Sequence, residues 1–366
     1  MKNLKNNFIM IAAGGSGGHL FSASAISSEL TKRGYRVILL TDKRVKNLII
    51  DFPAEKIVFI PSDTFTSRPL YKWPFVLGKL FLGFILSFFW AFKTRTQLSI
   101  GFGGYPSVAP LLAFKICGSK ILIHEQNSIF GRANQFLSLF ADGITMGFEN
   151  TKILSKMTNK KIHFYGNPVR EKILYYKNSK KVINTRNITL LVFGGSQGAS
   201  FLSSIIPNVI NELPEEIIKN INIIQQARKE DIGKLENFYS DNNLRYQVRE
   251  FFYNFPEIIN DSDLVISRSG ASTISEMAIM GKACIFVPLP NTLDGDQESN
   301  AKILESSDAA IVYYQDQLKP SILAKRIEEL VSFPEKLYEL SENIKKFGNE
   351  GASLKLVNFS ESLMSK

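Results

Sequence analysis

The sequence of 366 residues is poor in the residues that build disulfide frameworks and zinc sites, with two cysteines and three histidines. Cys117 and Cys284 lie far apart in apolar runs, and their spacing fits neither kind of site. A reducing, cytoplasmic setting is therefore expected. The amino terminus is polar, and the apolar run after it stops at a glycine cluster near Gly14, so we expect no signal peptide and no export.

Two common nucleotide-binding motifs are missing as well. No glycine turn fits G-x-G-x-x-G, which disfavours a nicotinamide-dependent dehydrogenase. The Gly-Lys pairs at Gly78, Gly233 and Gly281 lack the following Ser or Thr of a P-loop. An RNP motif, a zinc finger and a basic helical arm are also missing. The formal charge of +10, from 44 basic and 34 acidic residues, therefore predicts anionic partners other than nucleic acid.

The sequence does contain a repeated alternation of apolar runs and amphipathic stretches. Strand candidates lie at residues 8–13, 36–40, 97–101 and 120–124, and an amphipathic stretch covers residues 20–32. This alternation is typical of βαβ units, and it predicts a parallel sheet with helices on its faces.

The alternation restarts after residues 166–168, with a strand at 189–193 and a helix from about 199 to 213. The chain of 366 residues exceeds the size at which one hydrophobic core usually stops growing. We therefore predict an α/β fold of two Rossmann-like domains, residues 1–166 and 167–366, that face each other across a cleft. Residues 334–366 are predicted as helices, and one of them is a candidate to pack back on the first domain.

Each predicted domain opens with a strand that runs into a glycine-rich turn. The first turn is GGSGGH at residues 14–19, and the second is GGSQG at residues 194–198. Missing side chains let backbone N–H groups approach a ligand, and the amino end of the following helix carries about half a unit of positive charge. Both turns are therefore candidate phosphate sites. The alternative is that the glycines serve only as tight turns.

These turns belong to a series of seven motifs that follow one another along nearly 290 residues. They are GGSGGH (14–19), GFGGYPS (101–107), HEQN (124–127), GNPVR (166–170), GGSQGA (194–199), RSGASTISE (268–276) and DQESNA (296–301). Together they resemble the MurG family of UDP-N-acetylglucosamine:N-acetylmuramyl-(pentapeptide) pyrophosphoryl-undecaprenol N-acetylglucosamine transferases, which have the glycosyltransferase-B fold. The sequence departs from the family pattern at Ser16, Ser22 and Asp296, where the family usually has Thr, Pro and Gln.

The resemblance implies an inverting, metal-independent glycosyltransferase of peptidoglycan synthesis that uses no cofactor. Its donor would be UDP-N-acetylglucosamine, and its acceptor the C4 hydroxyl of undecaprenyl-pyrophosphoryl-N-acetylmuramyl-pentapeptide, so that lipid I becomes lipid II. The enzyme would lie at the cytoplasmic face of the bacterial inner membrane. Two alternatives stay open: an enzyme of this fold with another lipid acceptor, and a non-catalytic nucleotide-sugar sensor.

The resemblance places the acceptor and the general base in the amino-terminal domain. His19 is the first candidate for the base, because an unperturbed imidazole has a pKa near 6.5, and a structural histidine is the alternative. Glu125 is the rival base. The other residues expected to bind substrate here are Ser16, Gly17, Gly18, Tyr105 and Asn127.

For the donor, the resemblance assigns phosphate contact to Ser196, uracil recognition to the backbone of Phe252, and sugar hydroxyls to Gln297, while Arg170 completes the nucleotide site. A helix that starts near residue 271 is predicted to point its first N–H groups at the pyrophosphate. Its candidate substrate-binding residues are Ala271, Ser272, Thr273, Ile274, Ser275 and Glu276. Glu276 is expected to hold the ribose hydroxyls, and a surface helix charge is the alternative.

Asp294 and Asp296 form a D-x-D pattern, which in other glycosyltransferases binds a divalent ion. The pattern coincides with the family's sugar-binding loop, so we expect no metal site there.

Residues 73–92, WPFVLGKLFLGFILSFFWAF, are long and apolar enough to suggest a membrane-spanning helix. We reject a span because Pro74 and Lys79 interrupt the start of the segment, leaving residues 80–92 uninterrupted. An aromatic-rich helix surrounded by cations instead predicts an interfacial anchor on anionic lipid. The cations are Arg68, Lys72, Lys79, Lys93 and Arg95. The alternative is a helix buried under the sheet.

Overall fold

The computed structural model describes residues 7–49, 51–64, 69–152, 162–177, 187–195 and 200–365. The chain forms two compact units, Met1–Arg170 with Asn349–Lys366, and Glu171–Gly348. Each unit is built around one parallel sheet, as the alternation of apolar and amphipathic stretches predicts. The first unit extends to residue 170 instead of 166, and it includes residues 349–366, which contain the candidate helix for packing back on the first domain.

The sheet of the first unit has seven parallel strands in the described residues. They are β1 Phe8–Ala12, β2 Arg36–Thr41, β3 Lys56–Phe59, β4 Leu98–Gly101, β5 Lys120–Glu125, β6 Gly143–Met146 and β7 Ile162–Phe164. Their order is β3-β2-β1-β4-β5-β6-β7. Along β1, Ile9 and Ile11 belong to one core cluster and Met10 and Ala12 to another. Both faces of β1 are therefore covered, which explains its continuous apolar sequence.

Five helices cover this sheet in the described residues. They are α1 Gly17–Lys32, α2 Trp73–Thr94, α3 Val108–Ile116, α4 Arg132–Ser138 and α14 Ala352–Met364. The helix α14 comes from the far end of the chain and packs on α1, where Arg33 donates to Glu361 over 2.7 Å and to Asn358 over 2.8 Å. The ring of Phe359 lies 4.6 Å from that of His163, centroid to centroid. These contacts explain why residues 349–366 belong to the first unit.

The helix α2 runs without a break from Trp73, so the prediction that Pro74 and Lys79 interrupt it is wrong. Pro74 stands in the first turn, where a helix needs no backbone N–H donor. A side chain at Gly83 would come within 2.3 Å of the carbonyl oxygen of Pro61, so the glycine allows close approach. The buried positions follow one narrow stripe: Val76, Gly83, Ser87, Ala91 and Thr94.

The second unit repeats this architecture with six parallel strands in its described part. They are β8 Ile188–Phe193, β9 Ile221–Gln226, β10 Arg245–Arg249, β11 Leu264–Ser267, β12 Ala283–Phe286 and β13 Ile311–Val312, in the order β10-β9-β8-β11-β12-β13. The helices are α5 Glu171–Tyr176, α6 Ser200–Asn211, α7 Glu215–Lys219, α8 Lys229–Asp241, α9 Phe255–Asp261, α10 Ala271–Met280, α11 Asp296–Glu305, α12 Pro320–Ser332 and α13 Pro334–Lys345. One large apolar cluster joins β8 and β11 to α6 and α12.

Candidate active site

In each sheet the strand order reverses at one point, between β1 and β4 in the first unit and between β8 and β11 in the second. Ligands of open parallel sheets bind beyond the carboxyl ends of the strands at such a point. In the first unit, GGSGGH follows β1 and GFGGYPS begins at the last residue of β4. In the second unit, GGSQGA follows β8 and RSGASTISE follows β11. Each unit therefore carries one candidate half-site.

The first glycine turn holds His19 in a defined orientation. Nδ1 of His19 lies 2.9 Å from the carbonyl oxygen of Gly14, which can only accept, so in the neutral ring Nδ1 carries the proton and Nε2 the lone pair. The half-buried imidazole therefore presents the nitrogen that a general base uses. The hydrogen bond of Nδ1 agrees with the alternative of a structural histidine, but it leaves Nε2 available to act as a base.

The interpretation of this turn as a phosphate cradle needs a correction at Gly15. Its backbone N–H donates to the carboxylate of Asp42 over 2.9 Å, so a residue of the protein takes the place expected for an anion. Asp42 follows β2 and is 3% exposed. Asp42 was not predicted from the sequence, where its only signal is its place after the strand β2, next to β1 in the sheet.

The loop after β4 packs directly against this turn. Gly104 has φ of +76°, and a side chain there would come within 3.0 Å of the carbonyl oxygen of Gly14 and 3.3 Å of Nδ1 of His19. Glycine is thus required both by the backbone conformation and by the approach to His19. Tyr105 follows at once in a short 3₁₀ turn, Tyr105–Ser107, which brings this predicted acceptor contact to the same half-site.

Glu125 lies at the carboxyl end of β5 and is 2% exposed. One carboxylate oxygen accepts from the backbone N–H and side-chain amide of Asn127, over 2.9 and 3.3 Å. The other accepts from the N–H of Gly131 over 3.0 Å and the amide of Asn134 over 2.7 Å. Burial raises the pKa of Glu125, whereas these donors and the electrostatic interaction with His19 oppose that rise. Both oxygens organise the loop between β5 and α4.

His124, the preceding residue, is fully buried. Its Nε2 lies 3.1 Å from Oδ1 of Asn167, and its Nδ1 lies 3.0 Å from Oγ1 of Thr145. The amide nitrogen of Asn167 donates to the carbonyl oxygen of Gln126 over 3.0 Å. Burial lowers the pKa of His124 to about 4, so the ring is neutral at pH 7. It joins HEQN to GNPVR and has a structural role.

Three residues predicted for acceptor binding stand in the first glycine turn, and Arg170, predicted for the nucleotide site, contacts the helix that follows it. Ser16 precedes α1 in an extended conformation, and Gly17 and Gly18 form its first positions. Arg170 belongs to the first unit, and its guanidinium carbon lies 4.4 Å from the ring centroid of Phe21 on α1. Its place in the first unit differs from the expected second domain.

In the second unit, α10 begins directly after the turn that ends β11. Gly270 precedes the helix, no acidic residue stands in the first turn, and Ala271, Ser272 and Thr273 open it. This amino end suits a phosphate through its N–H groups and its positive partial charge. Along the helix, Ile274 and Ser275 are buried, and Glu276 is 4% exposed. The alternative that Glu276 is a surface charge is therefore wrong.

The first turns of α11 are tied to the turn that precedes α10. The hydroxyl of Ser269 donates to the carbonyl oxygen of Gln297 over 2.8 Å, and the amide of Asn300 donates to the carbonyl oxygen of Ser269 over 3.2 Å. The side-chain oxygen of Gln297 accepts from the N–H of Leu289 over 3.0 Å. Gln297, expected at the sugar, thus stands beside α10. Phe252 is buried in the loop after β10, and Ser196 lies outside the described residues.

Arg268, the first residue of RSGASTISE, makes contacts that the sequence did not predict. Its guanidinium donates to the carbonyl oxygens of Val287 and Pro288, both over 2.9 Å, and to the side chain of Gln315 over 2.6 Å. The residue is 6% exposed, and burial lowers its pKa to about 10. Arg268 therefore fixes the chain that leaves β12, next to the start of α10.

No group of three or more His, Cys, Asp or Glu side chains suited to a metal ion occurs in the described parts of the chain. Asp294 and Asp296 of the D-x-D pattern stand on either side of Gly295, at the beginning of α11.

Comparisons with known proteins extend over both units. The glycosyltransferase family 28 N-terminal domain matches residues 9–146, and the C-terminal domain of that family matches residues 189–355. A UDP-N-acetylglucosamine--N-acetylmuramyl-(pentapeptide) pyrophosphoryl-undecaprenol N-acetylglucosamine transferase of Methylobacterium sp. (strain 4-46) is 38% identical over 356 residues, covering 95% of this chain and 94% of that protein. A transferase of the same name from Rickettsia africae (strain ESF-5) is 37% identical over 369 residues, covering 94% and 97%.

Among solved structures, that of Acinetobacter baumannii MurG is similar, with a TM-score of 0.74 and 26% sequence identity. The match covers 97% of this chain and 99% of that one. The likeness therefore includes both units and the motifs that end their strands.

Proposed function

The chain belongs to glycosyltransferase family 28 and, within it, to the MurG family, and we propose that it transfers N-acetylglucosamine from UDP-N-acetylglucosamine to undecaprenyl-pyrophosphoryl-N-acetylmuramyl-pentapeptide. The product is lipid II of peptidoglycan synthesis. The observation that carries the chemistry is the orientation of His19, whose Nδ1 donates to Gly14 and whose Nε2 keeps its lone pair.

The reaction is a single inverting displacement. The C4 hydroxyl oxygen of the acceptor forms the bond to the anomeric carbon, and the bond from that carbon to the diphosphate breaks, with UDP taking the electron pair. The hydroxyl proton passes to Nε2 of His19. Negative charge grows on the diphosphate as the bond breaks, so a helix amino end beside it stabilises the transition state.

We propose that Glu125 positions the loop between β5 and α4 and does not take the proton. Each carboxylate oxygen accepts two N–H donors from the loop between β5 and α4, so an incoming hydroxyl would have to displace one of them. Leaving a buried amide without its acceptor costs about 1–3 kcal/mol. Glu125 therefore holds Asn127 toward the acceptor, while Tyr105 and the turn at Ser16, Gly17 and Gly18 contact it from the other loops.

The donor binds to the second unit. The N–H groups of Ala271, Ser272 and Thr273 receive the diphosphate together with Ser196, and Glu276 accepts from the ribose hydroxyls. Support comes from the start of α10 directly after the turn that ends β11, from the lack of an acidic residue in its first turn and from the burial of Glu276. Uracil is read by the backbone at Phe252, and Gln297 contacts the sugar. No metal or cofactor takes part.

The acceptor carries a long polyprenyl chain, and the surface of α2 supports a membrane-facing role. By length and apolar composition alone α2 could span a membrane, with a mean hydropathy of 2.0. Only 22% of its most apolar stretch is buried within the protein. The exposed apolar side chains of α2, here called the α2 surface, are Trp73, Phe75, Leu77, Phe81, Leu82, Ile85, Phe88, Phe89 and Phe92. This exposure argues against a helix buried under the sheet.

Cations lie around the α2 surface, as an interfacial anchor on anionic lipid requires. Lys72 and Lys93 are exposed at its two ends, and Lys79 pairs with Asp63 over 2.8 Å. We therefore place the protein at the cytoplasmic face of the inner membrane, bound peripherally. Nucleic acid has no part in this function.

Release of UDP from UDP-N-acetylglucosamine, measured in detergent with and without the lipid-linked acceptor and with EDTA present, tests the reaction. We expect acceptor-dependent release that survives chelation. His19→Gln should lower kcat by about 10²- to 10⁴-fold with donor affinity unchanged, because only proton transfer is lost. His163→Gln, a histidine of the same unit, should keep wild-type turnover.

Donor binding without acceptor-dependent release would instead support the nucleotide-sugar sensor or another lipid acceptor. Near-normal turnover of His19→Gln would move the base to Glu125. Restoration by Mg²⁺ or Mn²⁺ of activity lost in EDTA would contradict metal independence.

Flotation with anionic vesicles tests the membrane contact. Phe75→Ser with Phe81→Ser should weaken binding at least tenfold, because each exposed ring contributes about 1–2 kcal/mol when it enters the interface. Phe333→Ser removes an exposed ring from the second unit and should change nothing. Equal loss in both proteins, or no binding at low salt, would refute the anchor.

A further inference from the structure

The peptide group between Gly14 and Gly15 connects two side chains that do not touch each other. Its carbonyl oxygen accepts from Nδ1 of His19 over 2.9 Å, and its N–H donates to the carboxylate of Asp42 over 2.9 Å. Carboxylate, peptide and imidazole thus form one chain of hydrogen bonds. Such chains polarise each of their members, because a donor that is also an acceptor becomes stronger in both roles.

Asp42 is itself fixed in place. One carboxylate oxygen accepts from the backbone N–H of Arg44 over 2.8 Å and from its Nε over 3.0 Å, and the other accepts from its terminal nitrogen over 3.0 Å. A side chain at Gly14 would come within 2.7 Å of that second oxygen, so the glycine lets the carboxylate reach the peptide. The carboxylate is almost fully buried, whereas half of the Arg44 side chain is exposed.

We propose that Asp42 is a positioning residue that acts on His19 through the Gly14–Gly15 peptide. Resting on the assignment of His19 as base, the proposal adds the group that orients it. The carboxylate draws the peptide N–H toward itself, which makes the Gly14 oxygen a better acceptor. That oxygen then holds the Nδ1–H tautomer and stabilises the imidazolium formed when Nε2 takes the proton of the acceptor hydroxyl.

The matched control is Asp142, a second carboxylate of the same unit. It accepts from the backbone N–H of Ile121 over 2.7 Å and from Nζ of Lys115 over 2.7 Å, so it too joins one peptide to one cation. Ile121 stands at the start of β5, whereas His19 lies beyond the end of β1. Substitution of Asp142 therefore removes a similar structural contact without reaching the base.

The tautomer can be measured directly, because the chain has three histidines and His19→Gln identifies the signals of one. The experiment records ring ¹⁵N shifts of the full-length protein, with kcat and the KM for UDP-N-acetylglucosamine. Asp42→Ala should give a mixture of His19 tautomers and lower kcat about tenfold to a hundredfold, with the donor KM unchanged. Asp42→Asn, which keeps an acceptor for Gly15, should lie between Asp42→Ala and the wild type.

Wild-type ring shifts in Asp42→Ala would overturn the proposal, as would an equal fall in kcat for Asp142→Ala. Should Asp42→Ala fail to fold, Gly14→Ala gives the same test by pushing the carboxylate away from the peptide. The ring shifts test the link between Asp42 and His19 independently of the role of His19 as base. If His19→Gln stays active, only the assignment of His19 as base is refuted. Altered shifts with unchanged kcat would show that the link does not assist the reaction.

Discussion

The buried ring of His124 makes the stability of the first unit depend on pH. Burial lowers the pKa of His124 from 6.5 to about 4, so the unfolded chain binds a proton there between these values and the folded chain does not. Above pH 6.5 both states are neutral and the full stability is present. As the pH falls from 6.5 to 4, proton binding favours the unfolded state, and the free energy of unfolding drops by about 1.4 kcal/mol for each pH unit.

The expected loss is about 2 kcal/mol between pH 7 and pH 5. Urea unfolding followed by tryptophan fluorescence measures it in the correct unit, because both tryptophans stand in α2. His124→Gln cannot take up this proton. Between pH 7 and pH 5, its free energy of unfolding should therefore fall by about 2 kcal/mol less than that of the wild type. Every other titrating group is common to both proteins, so the difference belongs to His124.

The matched control is His163→Gln, which alters a ring stacked on Tyr165 with centroids 5.4 Å apart and outside the His124 network. It should keep the wild-type change between pH 7 and pH 5. If His124→Gln lost as much stability as the wild type, His124 would not be the buried neutral link between HEQN and GNPVR, and the reasoning would be refuted.

Three further substitutions test the packing around the candidate site. Gly83→Ala should lower the free energy of unfolding by about 1–3 kcal/mol, because a methyl group would meet a backbone oxygen at 2.3 Å. Gly78→Ala, on the open side of α2, should raise the free energy of unfolding by about 0.5–1 kcal/mol. Thermal melts of the two variants measure both changes. Gly104→Ala should lower kcat at least tenfold in the UDP-release assay, because its backbone conformation and its approach to His19 both resist a side chain. Arg268→Met should cost about 2–4 kcal/mol in urea unfolding, because buried carbonyls lose their charged donor.

Much of the fold follows from sequence patterns that depend on neighbours along the chain. Apolar runs predicted the strands β1, β4 and β8, and glycine turns predicted where the helices begin. The motifs also predicted the family. The end of the chain was harder, because the docking of α14 rests on contacts such as that between Arg33 and Glu361, more than 300 residues apart. No local periodicity contains such a pair.

The same limit explains which site residues were missed. Asp42 accepts from the backbone N–H of Gly15, and Arg268 donates to the carbonyl oxygens of Val287 and Pro288. These partners are distant in sequence, so no local pattern predicts the contacts. The exposure of α2, in contrast, was predicted from its aromatic content and the cations around it, and most of its aromatic side chains are exposed.

The two half-sites place glycine next to helix amino ends for different purposes. In the first unit, the N–H of Gly15 is occupied by Asp42, so the turn suits a residue that must gain positive charge as it takes a proton. In the second, α10 starts after Gly270 with no acidic residue in its first turn, which suits a group that gains negative charge. A carboxylate introduced there, as in Ser272→Asp, should therefore weaken donor affinity by more than tenfold while the His19 ring signals stay unchanged. Unaltered donor affinity would argue that α10 does not receive the diphosphate.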